Sequence, residues 1–214
     1  MSSAAGRLAV LCAVALLTGG CAQTIAGTAT RTAPGIDDES RSPVDVESVM
    51  LDQAQMQAIT GAGDALTIVP SMDGKIPVDV SDLMNGTPQE CQWYFAETQT
   101  FGDEVEEFHK TTFQHPPDGA LISEGAAAYR DQETARHAFA DLVGQVYDCG
   151  SNELGSTFIG EWTADADTLT MRSPGTCGRD YRIKNVVLVE VSFCAVPDSV
   201  PGIVMTNIID KVPG

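Results

Sequence analysis

Six cysteines divide this chain into a part that can fold as a domain and a part that cannot. Cys12 lies inside the apolar run of residues 8–17, which follows one basic residue, Arg7, and leads into Thr18-Gly19-Gly20-Cys21. A charged start, a short apolar stretch and small residues before a cleavage point are the parts of an export signal. The run is too short to span a bilayer as a stable helix. Residues 1–20 are therefore read as a leader, and the remaining chain as one that matures in an oxidising, extracytoplasmic setting.

Cys21, directly after the small residues, is similar to the acylated cysteine of a bacterial lipobox. On this reading Cys21 carries the lipid (palmitate among its acyl groups) and holds the protein on the outer face of the cell membrane. Thr18 stands where Leu is commonest in a lipobox, so a plain secretory signal is the alternative. Residues 21–43 are rich in Thr, Ala, Gly, Ser, Asp and Pro. They bury too little apolar surface to offset the entropy of ordering, and read as a flexible tether. Residues 44–214 are long enough for one well-packed domain.

The formal charge of the 214-residue chain is -18, and the leader contributes only a positive residue. A chain this acidic is repelled by phosphate backbones and anionic headgroups, which excludes nucleic acid as a partner and leaves membrane attachment to the lipid. With Cys12 and Cys21 assigned to the leader and the lipid, Cys91, Cys149, Cys177 and Cys194 remain. An even number in an exported domain reads as two disulfides, with three connectivities open. No pair has Cys-x-x-Cys spacing, so neither a metal site nor a redox motif is expected.

Along the domain, Asp52 with Gln55 forms a capping box, Leu51 and Met56 a hydrophobic staple, and Gly61 a helix stop. Residues 66–89 read as irregular. Residues 91–97, 104–113 and 121–129 read as strands, the second with one wet face. Residues 131–147 carry the clearest amphipathic pattern, with Ala135, Phe139, Leu142, Val143 and Val146 on one helical face. Short strands are expected over 158–163, 168–172 and 180–183. The nearly all-apolar run 185–194 should be a central, buried strand. A last helix begins at Val200-Pro201. The order predicts an α+β domain: a mostly antiparallel sheet with helices packed on one face.

The helix of residues 51–59 ahead of a first Cys, the helix ending Val146-Tyr147-Asp148-Cys149, Trp162 in the next strand, and above all the block 177–191 and the final helix together resemble the PknH-like extracellular domain family of mycobacteria. That family includes the sensor domain of a receptor Ser/Thr kinase and stand-alone lipoproteins. The resemblance runs from about residue 46 to the end. It implies an α+β sandwich-like domain with a large cleft and sequential pairing, Cys91–Cys149 and Cys177–Cys194. That pairing also suits a hairpin flanked by Cys177 and Cys194, and a helix ending at Cys149 that docks on the sheet containing Cys91. No kinase domain and no transmembrane helix accompany the domain here, which argues against direct signalling.

Chemistry-bearing motifs are scarce. His109, His115 and His137 fit no nucleophile or metal motif. Asp165 and Asp167 suit a turn better than a calcium loop, which needs further ligands and a Gly. Asp103, Glu104, Glu106 and Glu107 spread over both faces of a strand, and Glu90, Glu161 and Glu190 are isolated. The candidate ligand-binding residues are Trp162, as a cleft wall, and Arg172 and Arg179, as receivers of an anionic group. The expected function is a lipid-anchored, non-enzymatic binding or sensor-like module of the cell envelope, without cofactor, holding a small ligand or envelope protein in a cleft. An envelope hydrolase with a cryptic site and a passive surface lipoprotein are the alternatives. Exchanging Cys21 for Ala should move the protein from the membrane fraction to the soluble one on fractionation; continued membrane retention would overturn the lipobox reading.

Overall fold

The computed structural model describes residues 42–83 and 86–214. The leader, Cys21 and the tether as far as residue 41 lie outside the described residues. Asp45 caps a first short helix, α1 (Val46–Val49), by accepting from the Glu47 N–H. Asp52 and Gln55 form the expected capping box on α2 (Gln53–Thr60), and Gly61, at φ 70°, closes it in the left-handed conformation that favours glycine. Leu51 and Met56 are both buried beside the cap, as a staple requires.

Seven strands follow: β1 (Thr67–Gly74), β2 (Glu107–His115), β3 (Ala120–Ala128), β4 (Glu161–Ala164), β5 (Thr168–Arg172), β6 (Cys177–Lys184) and β7 (Val187–Cys194). They form one sheet in the order β1-β2-β3-β7-β6-β5-β4, antiparallel throughout. The remaining helices are α3 (Glu97–Phe101), α4 (Gln132–Gly150), α5 (Gly155–Ile159) and α6 (Ser199–Lys211), with a 3₁₀ segment over Gln89–Phe95.

Helices cover both faces of the sheet, not one as the sequence suggests. α1, α2 and α6 share a core with Phe113, Ile122, Val187, Val189 and Val191. α3, α4, α5 and the 3₁₀ segment share another with Phe108, Tyr181, Leu188, Leu169 and Met171. The physical reason lies in β7. Its side chains alternate across the sheet, Val187, Val189 and Val191 to one side and Leu188 to the other beside Leu169, Met171 and Tyr181, so the apolar surface on each side needs a covering layer.

Three further expectations change. The run 91–97 is 3₁₀ and then α3, because Cys91 is bonded to Cys149 and Trp93 is buried in the helical layer. Its aromatic content favours a strand only where strand neighbours exist. Residues 158–159 belong to α5 rather than to a strand. Gly155 at its start lies so close to Cys149 that an added Cβ would stand 2.1 Å from the Cys149 carbonyl oxygen, so only glycine fits. Finally, β1 runs through the stretch read as irregular. Its register shifts between Ile68 and Asp73, around Pro70, the kind of interruption an edge strand tolerates. The sulfurs join Cys91 to Cys149 and Cys177 to Cys194; the second pair lies directly opposite in the β6–β7 ladder.

Under the α1–α2 junction lies Glu124 of β3, fully buried. Its Oε1 accepts from the Leu51 N–H at 3.0 Å, while Oε2 has no partner among the described residues. Burial pushes its carboxyl up to about 8, against the opposing pull of the Leu51 N–H and Lys211. Between its ordinary 4.5 and about 8 the folded chain holds a proton that the unfolded chain has released, so this group makes stability fall as pH rises across that window. The slope is at most about 1.4 kcal/mol per pH unit. Glu124→Gln should flatten the decline of Tm with pH between these limits and gain most at the alkaline end. Parallel Tm–pH curves for the two proteins would refute the assignment.

Candidate binding cleft

Strand register sets two polar rows side by side on the α4 face of the sheet. Thr112, Ser123, Ser192 and Arg179 face one another across β2, β3, β7 and β6, and Lys110, Gly125, Glu190 and Tyr181 form the adjacent row. These rows floor a cleft of about 370 Å³. Its wall is the end of β1 and the segment after it, with Met72, Ile76, Val78 and Val80, opposed by Tyr94 and Phe95 of the 3₁₀ segment. The two walls are stitched by backbone: the Val80 N–H donates to Phe95 O at 3.0 Å and the Glu97 N–H to Val78 O at 2.7 Å.

The charges on the floor are organised around Glu190, which is 1% exposed in the middle of β7. Lys110 Nζ lies 2.9 Å from Glu190 Oε1 and 3.0 Å from Glu97 Oε1. Gly125 lies between Lys110 and Glu190 in the ladder, with the lysine stem over it; a Cβ there would stand 3.5 Å from Lys110 Cγ, an ordinary contact. Glu97 spends its other oxygen on the Val78 N–H, 3.1 Å away, and so couples the wall to the floor. Burial opposes ionisation of Glu190, but Lys110 and Arg179 outweigh it and hold the carboxyl below its usual range. Burial likewise opposes the charge on Lys110, and Glu190 and Glu97 reverse the balance. Tyr181 is pushed well up, chiefly by burial and by Glu190, and stays neutral.

Arg179 differs from Lys110. Its guanidinium carbon lies 3.8 Å from the centre of the Tyr94 ring, a stacked cation–π contact. Among the described residues it makes no ion pair with a carboxylate. Burial works against its charge, but Tyr181, Glu190 and Tyr94 outweigh this and keep it protonated.

Of the three residues expected to bind ligand, the structure brings Arg179 alone to the cleft. Arg172 points to the other face of the sheet, where it pairs with Asp180 and lies 5.2 Å from the Phe193 ring centre. Trp162 pairs in register with Met171, packs half-buried against the α4-side core, and does not line the cleft. Lys110, Glu97, Glu190 and Tyr94 were not singled out from sequence. The available signal was Glu190, a lone charge in Val187-Leu-Val-Glu-Val191; a central strand cannot bury it without a counter-ion.

The histidines sit elsewhere. His109 faces away from the floor, 2.9 Å from Asp73 Oδ1; His115 pairs with Asp118 and His137 with Asp141. Asp165 Oδ1 accepts from the Asp167 and Thr168 N–H groups, which makes it a turn former. A second hollow, about 450 Å³, borders α4 at Asp103, Glu104, His137 and Asp141, but these groups are largely open to water. Lys110→Met would leave Glu190 buried without its nearest partner and should cost about 3–5 kcal/mol. The double change Lys110→Met with Glu190→Gln should cost much less. Equal losses in chemical denaturation would show that the pair is not coupled.

A family model for the PknH-like extracellular domain matches residues 42–211. No curated protein matches the chain. Among solved structures, the chain is similar to the extracellular domain of PknH from Mycobacterium tuberculosis, with a TM-score of 0.55 and 15% identity, over 80% of this chain and 97% of that one. At that identity the likeness speaks to fold. The family match spans most of the sequence, from four residues before α1 to the last residue of α6, and the chain therefore belongs to the PknH-like extracellular domain family.

Proposed function

We propose that this protein is a binding module of the cell envelope, anchored through a lipid on Cys21, that holds a small ligand in the cleft and performs no chemistry on it. The supporting observation is the composition of the cleft: apolar walls over a floor of hydroxyls and charged groups, with Arg179 in no ion pair among the described residues. Such a site, mostly apolar with a few convergent polar groups, is the usual form of a ligand pocket. Among the described residues no histidine lines the cleft, so the pairing of His with Ser or carboxylate that a hydrolase of this kind needs is not brought together there. Among the described residues no helix is long and apolar enough to cross a membrane.

A fractionated envelope extract should contain a component that co-purifies with the full chain in native mass spectrometry and raises its Tm. At a hundredfold excess over Kd the gain is about 2.7 kcal/mol, a rise of roughly 5–10 °C for a chain of this size. Ser192→Phe, which places a ring on the floor, should abolish the shift. An extract without any stabilising fraction, or a shift that survives Ser192→Phe, would refute the cleft as the binding site.

A further inference from the structure

Building on the reading of the cleft as a binding site, we propose that its ligand is an acidic amphiphile of single negative charge, with the head on Arg179 and an apolar body along the wall of residues 72–80. The head follows from how the cleft's charges are spent. Lys110 is held between Glu97 and Glu190, each within 3.0 Å, so it has no surplus charge to offer. Arg179 is stacked on Tyr94 through the face of its guanidinium. Stacking occupies the face and leaves the N–H edge for an acceptor, and a guanidinium edge suits the two oxygens of an acidic group. Ser192, directly across the ladder from Arg179, adds a hydroxyl beside it.

The single charge follows from what surrounds that cation. Besides Arg179, the lining carries one cation, Lys110, and the carboxylates of Asp73, Glu97 and Glu190, and the chain as a whole is strongly acidic at -18. Arg179, in no ion pair among the described residues, answers one negative charge. A second would face Glu97 and Glu190 with no counter-ion, in the low-dielectric setting where like charges cost most.

The apolar body follows from the wall. Met72, Ile76 and Val78 are 51%, 77% and 53% exposed, lie within seven residues of one another, and all border the same cleft. Single exposed apolar residues are common, but a contiguous set against a cleft marks a surface that is covered in use. A volume of about 370 Å³ sits near the lower end of ligand pockets and suits a chain of medium length.

The test is calorimetric titration of the full chain with decanoate, decanol and decyl phosphate, each below its micelle concentration. Decanoate should bind roughly 10-fold or more tighter than decanol, the range of a charge-assisted hydrogen bond. Arg179→Gln should bring decanoate down to the level of decanol. Ile76→Ser, an exposed change that should leave Tm unaltered, should weaken both. Equal affinity for decanoate and decanol, or no effect of Arg179→Gln, would overturn the acidic head. Tighter binding of decyl phosphate than of decanoate would overturn the single charge. Failure of all three probes, with the envelope extract still raising Tm and Ser192→Phe still blocking it, would sink this inference and leave the binding reading standing. Failure of the extract as well would sink both.

Discussion

A carboxylate in the centre of an apolar strand has to be neutralised, and much of the cleft follows from how this chain does it. Glu190 is buried on the α4 face of β7 and cannot reach water. Lys110 comes from two strands away, across Gly125, and its ammonium takes Glu97 as a second partner. Glu97 in turn fixes Val78, and with it the wall that would otherwise be a loose segment after an edge strand. One desolvated charge thus sets the position of a lysine, a helix start and a loop. A buried pair of this kind adds little net stability compared with an apolar core, but it tolerates few other arrangements.

The architecture was legible where local rules act alone. The capping box at Asp52, the helix from Asp131 and the buried strand β7 all declare themselves through side-chain type and period. It was hidden where long-range contacts overrule propensity. The aromatic run after Cys91 is wound into 3₁₀ by a disulfide and a buried Trp93, and β1 is broken by a bulge that erases its alternation. The site was legible only in part for a related reason. Arg172, Arg179 and Arg182 look like one basic group along the sequence. Strand alternation sends Arg179 to the cleft and the other two to the opposite face. The neighbours of Arg179 outside its own strand, Tyr94 and Ser192, come from two distant places in the chain, and no local pattern joins them.

The two disulfides bracket the cleft without crossing it. Cys91–Cys149 ties the 3₁₀ segment that carries Tyr94 and Phe95 to the end of α4. Cys177–Cys194 ties β6 to β7 two residues from Arg179 and Ser192. Sequence separations of 58 and 17 correspond to roughly 4 and 3 kcal/mol of lost unfolded-state entropy in the loop-closure model.

The strand order carries a consequence for how the domain comes apart. β1-β2-β3 is one local meander and β4-β5-β6-β7 another, and they meet along β3 and β7. Each disulfide leaves that seam uncrossed: Cys177–Cys194 lies within the second meander, and Cys91–Cys149 joins segments that both precede it in the chain. The seam is closed by a ladder, by the packed cores on either side and by the Lys110–Glu190 pair, all reversible contacts. The cleft straddles it, with Lys110, Thr112 and Ser123 on one bank and Arg179, Glu190 and Ser192 on the other. An occupant of the cleft would therefore touch both meanders at once, across a seam that no disulfide closes.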